Sequence, residues 1–145
     1  MKKYTNIIAL VLVVILFSCG EDEPQQPGEK QIMIESLAKT WTTSLVRIDG
    51  LDISGYWHDF TLTIDSDLNY TTSSATEDNL KVWPTSGTLS FPNDNFLKAI
   101  ERNDGVQITV LEITETSISL SFNIEENSGA RVAGITGDWT FEMTN

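Results

Sequence analysis

The chain carries one cysteine, Cys19, in 145 residues. A single thiol closes no internal disulfide and builds no zinc–thiolate cluster, so the fold stands on its core. Histidine is equally scarce: His58 is the only one. A Ser–His–Asp relay needs that ring held by a carboxylate. Asp59 is its chain neighbour, but adjacent residues of a strand point oppositely, so the two are not expected to meet. One imidazole is also too few for a histidine metal centre. Asp65-Ser66-Asp67-Leu68-Asn69 imitates the start of a calcium loop. Tyr70 stands where that loop requires glycine, and Thr76 where it requires glutamate, so the stretch reads as a hairpin turn. No glycine-rich phosphate motif and no internal repeat occur. The expectation is a chain with no catalytic residue, no metal and no cofactor, and not an enzyme.

Positive charge is short as well. Nine Lys and Arg stand against 21 Asp and Glu, a net charge of −12. A field of that sign repels nucleic acid and anionic lipid heads. Long apolar runs are limited to one, the eleven residues Ile7 to Phe17. A membrane span needs roughly 17–25 apolar residues, so this run is too short to cross. With Lys2 and Lys3 before it and Leu16-Phe17-Ser18-Cys19 after it, it reads as a bacterial lipoprotein signal. Residues 1–18 are expected to be removed and Cys19 to receive lipid, palmitate among its acyl chains. Each buried methylene contributes about 0.8 kcal/mol, so two or three chains hold effectively permanently. Removal of residues 1–18 takes both lysines and leaves 127 residues at a net charge of −14.

Residues 19–30 contain no aliphatic or aromatic side chain and carry the acidic cluster Glu21-Asp22-Glu23. They read as an extended, solvated tether. Gly20 follows the cysteine in place of the aspartate of an inner-membrane retention signal. The expected location is the outer membrane of a Gram-negative cell. The acidic cluster resembles an export signal to the cell surface, with a solubilising linker as the alternative.

Residues 31–145 read as one all-β domain. Period-two alternation recurs at 41–48, 60–64, 69–74, 87–91, 96–102, 106–113, 117–123 and 137–143. Ile118, Leu120 and Phe122 alternate with Ser117, Ser119 and Ser121; Trp139, Phe141 and Met143 alternate with Asp138, Thr140 and Glu142. In the sixth segment Ile108 and Val110 share one face and Leu111 and Ile113 the other, which a bulge reconciles. A short helical turn is expected over 31–39, placed to plug one end. Eight consecutive strands suit an antiparallel meander closed into a barrel. Its faces are apolar inside and Ser/Thr-rich outside, the reverse of a membrane barrel.

Leu37-Ala38-Lys39-Thr40-Trp41 opening the first strand and Gly137-Asp138-Trp139-Thr140-Phe141 closing the last resemble the lipocalin-like domains of small bacterial lipoproteins. The match to the family's Gly-x-Trp is at the tryptophan, with Lys39 in the glycine's place. The resemblance spans roughly 31–145. It implies an eight-stranded up-and-down barrel holding a small apolar molecule.

Connection lengths give the domain a polarity of their own. The connections at 49–59, 75–86 and 125–136 are long; those at 65–68, 92–95 and 114–116 are short. Alternate connections of a meander share an end, so the long ones gather together. Only Asn103-Asp104-Gly105 is short at that end. Both termini fall at the other end, so the tether leaves from the short-loop base. Functional contacts concentrate on long loops of a rigid scaffold. The candidate ligand residues are Tyr56, Trp57 and His58 in the first long loop, Trp83 in the second and Arg131 in the third. The favoured expectation is a small apolar or amphipathic ligand at this end. Two alternatives stand beside it. One is a filled barrel acting as an accessory or assembly protein that touches another envelope protein. The other is a carbohydrate-binding β-sandwich using Trp57 or Trp83.

Overall fold

A computed structural model of the chain describes residues 28–73, 76–93, 97–125 and 135–145. Cys19, the tether as far as residue 27, and Arg131 lie outside those residues.

The order of elements is α1 (Glu29–Leu37), β1 (Thr40–Ile48), β2 (Leu51–Asp52), a 3-10 turn (Ser54–Tyr56), β3 (Thr61–Ile64), β4 (Asn69–Ser73), α2 (Glu77–Val82), β5 (Ser86–Ser90), β6 (Ala99–Arg102), β7 (Gln107–Ile113), β8 (Ser117–Ile124) and β9 (Gly137–Thr144). Each large strand pairs antiparallel with the next, and β1 also pairs with β9 from Thr42↔Thr144 to Ile48↔Trp139. The cycle β1-β3-β4-β5-β6-β7-β8-β9 therefore closes as an eight-stranded barrel. The β-sandwich alternative is overturned by that pairing, since a sandwich would leave β1 and β9 as edges. The two-residue β2 was not expected; it pairs with the end of β1 alone and stands outside the cycle.

Alternation decides which side chains enter. Leu62 and Ile64 of β3, Ile118, Leu120 and Phe122 of β8, and Trp139, Phe141 and Met143 of β9 are buried. The expected bulge in β7 lies between Val110 and Glu112. It turns Leu111 outward at 50% exposure and brings Ile113 back opposite the buried Ile118. A second bulge between Thr43 and Leu45 lets Trp41 and Val46 of β1 both point inward.

The helix begins two residues earlier than expected and ends at Leu37. Glu29 joins its first turn, where a carboxylate suits the positive end of the helix dipole. The carbonyl of Leu37 is taken by Trp41 Nε1 at 3.0 Å, which ties the helix end to the barrel wall. Leu37 is buried, and Met33 and Ile34 pack against the core. The Lys30 ammonium lies over Phe91, in the β5–β6 connection. Lys39 Nζ donates to the Glu115 carbonyl, and Asn145 donates from its backbone to Thr116. The start of the barrel and its last residue therefore meet at the β7–β8 turn, among the short connections.

The imitation calcium loop is the β3–β4 hairpin. Asp65 Oδ1 accepts from the backbone N–H of Asp67 and Asn69, and Oδ2 from Asn69 Nδ2, each at 2.9 Å. The Asn69 side chain leads these bonds in holding the Asp65 carboxyl below its ordinary value. No group of three metal-ligating side chains occurs among the described residues.

Candidate functional site

Among the described residues, two segments cover the long-loop end. The first leaves β1 through Asp49 and Gly50, at φ 49° and 81°. These left-handed conformations turn the chain sharply into β2, and glycine adopts one without steric cost. Asp52 Oδ1 then accepts from both the N–H and the hydroxyl of Ser54, at 2.9 and 2.6 Å. The hydroxyl bond is the main reason the Asp52 carboxyl sits below its ordinary value. The 3-10 turn that follows sends its aromatic neighbours to opposite sides. Tyr56 projects at 76% exposure; Trp57 turns in at 2%. Thr43 Oγ1 donates to the Trp57 carbonyl at 2.5 Å and pins the loop to β1.

The second segment is α2. Thr76 caps it, its hydroxyl accepting from the Asn79 N–H, and Glu77 and Asp78 fill the first turn. Asn79 Nδ2 donates to the Tyr56 carbonyl at 3.1 Å, which joins the two segments. Trp83 follows α2 directly and is fully buried. Its ring meets Tyr70, Phe122 and Phe141 edge-on, at 5.5 to 6.2 Å between centroids.

These side chains fill the barrel mouth. Trp57 packs edge-on against Phe60, Trp139 and Phe141 at 5.0, 5.7 and 4.8 Å. A cleft of about 420 Å³ stays open at the rim, between the 3-10 turn and α2. Ile48, Ile53, Trp57, Val82, Ile135 and Trp139 give it an apolar floor. Gly55, Tyr56, His58, Thr76, Asp78 and Asn79 form the remaining lining.

The sequence candidates thus separate. Tyr56, Trp57 and His58 share the cleft. Trp83 does not line it and belongs to the packed interior, so its ring is not the exposed platform that stacking on a sugar requires. Arg131 lies outside the described residues. The expectation for His58 and Asp59 is also corrected. They sit in a turn, not a strand, and His58 Nε2 lies 2.8 Å from Asp59 Oδ2 while Nδ1 faces the Gly55 carbonyl at 3.0 Å. Both side chains are exposed.

One residue escaped the sequence reading. Arg102, at the end of β6, is 2% exposed inside the barrel. Nε and Nη2 pair with the two carboxylate oxygens of Asp104, and Nη1 donates to the Val82 carbonyl. Its guanidinium carbon lies 5.1 Å from the Trp83 ring centre and 5.8 Å from that of Phe122. The signal was parity: Arg102 is two residues from the buried Ile100 and two from Asp104. Burial raises the Asp104 carboxyl, but the Arg102 hydrogen bond and charge, with the Val106 N–H, outweigh it and leave the group lowered.

Comparison with protein-family models, with curated proteins and with solved structures found no match for this chain.

Proposed function

We propose that the protein is a lipid-anchored module of the bacterial outer envelope that binds a small apolar or amphipathic molecule in the rim cleft. The observation that carries this reading is the cleft itself. It has an apolar floor, a polar rim and a volume of about 420 Å³, within the ~300–1,000 Å³ common for ligand sites. The lumen is not the proposed site, because Trp57, Phe60, Trp83 and Phe141 pack against one another within it. Lipid on Cys19 and an extended tether would attach the short-loop base to the membrane and leave the cleft facing away from it. The lipocalin-like resemblance agrees with the closed meander and implies a small apolar ligand without saying which.

Recovery of the full-length protein from native cells, followed by mass spectrometry, tests both halves. The expected result is a diacylglycerol-modified Cys19 and a co-purified apolar molecule that Tyr56→Ala preparations lose. An unmodified cysteine overturns the anchor. A protein recovered without any small molecule overturns the ligand reading.

The filled interior also favours a second reading, the accessory role. Leu51 and Tyr56 are exposed on the first long loop, at 67% and 76%. Crosslinking from position 56 in intact cells would join the chain to one envelope protein under this reading, and to none under the first.

A further inference from the structure

We propose that the rim cleft selects cationic amphipaths, an alkyl or aryl ammonium over a carboxylate of equal chain length. The inference rests on the ligand reading above and adds the sign of the ligand's charge.

Three observations carry it. First, of the three aromatic residues that line the cleft, Tyr56 presents its ring at 76% exposure, while Trp57 and Trp139, each 2% exposed, belong to the floor. Aromatic faces attract ammonium groups through the ring quadrupole, contributing about 0.5–2 kcal/mol according to desolvation. Second, the charged lining is acidic. Asp78 borders the cleft, and no lysine or arginine lines it among the described residues. His58 is the one other titratable rim group of basic type, and it faces the Asp59 carboxylate at 2.8 Å. Lys81 meets Asp78 at 2.7 Å from outside the cleft, with the Asp78 side chain 78% exposed. An ion pair so exposed contributes little, so an incoming ammonium can displace it. Third, the net charge of −12 concentrates cations at the surface and repels carboxylates before contact. Arg102, the buried arginine among the described residues, does not line the cleft and is paired with Asp104 and the Val82 carbonyl.

A fatty carboxylate entering the cleft would place its anion beside Asp78 with no described basic partner. An ammonium in the same place meets the Asp78 carboxylate and the Tyr56 ring together, with its chain on Ile48, Ile53 and Val82. The two tails are identical, so the charge alone decides.

The test is isothermal titration of the purified domain with dodecyltrimethylammonium and with dodecanoate, each below its micelle concentration. The ammonium is expected to bind about tenfold more tightly at low salt. The difference should narrow in high salt. Asp78→Lys, a change at an exposed position, should abolish or reverse the preference while circular dichroism stays unchanged. Equal affinities, or tighter dodecanoate, overturn the charge inference and leave the cleft standing. Binding of neither probe overturns the cleft and the inference together.

Discussion

Arg102 Nη1 donates to the Val82 carbonyl at 2.6 Å. A charge buried in the barrel wall thereby holds the last turn of α2 over the mouth. The bond satisfies a carbonyl that the helix end leaves without an intrahelical partner. It also fixes Val82, part of the cleft floor, and Trp83, part of the core.

Arg102→Met removes the anchor and strands Asp104. Breaking a buried pair costs about 3–5 kcal/mol, and the partial exposure of Asp104 reduces that to about 2–3 kcal/mol. Urea unfolding measures the loss. Because α2 forms one wall of the cleft, probe affinity is expected to fall in the same variant under conditions where it stays folded.

Asp104 also sets an acid limb. Its carboxyl is lowered from the ordinary 3.8 in the folded chain, so the unfolded chain takes up the proton first. The stabilisation is complete above that ordinary value and is lost as pH falls through the depressed folded value. Asp104→Asn leaves the buried Arg102 charge without its counter-charge, so it is expected to lower stability near neutrality by about 3 kcal/mol and to flatten the acid decline. Urea midpoints measured across the acid range check the slope.

Tyr70 behaves in the opposite sense. Its hydroxyl is buried without a hydrogen-bond partner, and burial raises it above the ordinary 10.0. Its stabilisation is complete below that value and is lost as pH rises through the higher folded one. Tyr70→Phe removes an unsatisfied polar atom, so stability at neutral pH should hold or rise by up to about 1 kcal/mol. The alkaline decline should weaken. Gly87→Ala tests the same spot: a Cβ there would lie 2.7 Å from Tyr70 Oη and closer still to Asn103 Oδ1. The expected cost is about 1–3 kcal/mol of overpacking.

The strands were legible because alternation at period two leaves little choice of face, as in Ser117 to Asn123. Loop lengths were enough to place both termini at one end. Loop aromatics were less legible, since nothing local says whether an indole turns in or out. Tyr56 and Trp57 are neighbours, yet one projects and the other is core. His58 and Asp59 fall in a connection, where the strand rule of opposite faces does not hold, and applying that rule hid their contact. Helix α2 carried a readable signal in Thr76-Glu77-Asp78, a cap followed by an acidic first turn. Arg102 followed the inward parity of its strand, but an inward charge is expected only once a partner such as Asp104 is known to lie within reach.

The division among the loop aromatics has separable consequences. Trp57→Ala and Trp83→Ala should each cost about 3–5 kcal/mol, as large rings leaving a packed core. Tyr56→Ala should change stability by less than about 0.5 kcal/mol and weaken probe binding. Paired urea and binding measurements distinguish core from contact.

The most direct measurement is an amide NMR titration of the folded domain with dodecyltrimethylammonium and, separately, with dodecanoate. A ligand site at the rim predicts shifts confined to Ile48, residues 53–58 and 76–82, Ile135 and Trp139. Shifts centred on inward residues Leu89, Ile100 and Ile108, or no shifts with either probe, would contradict it.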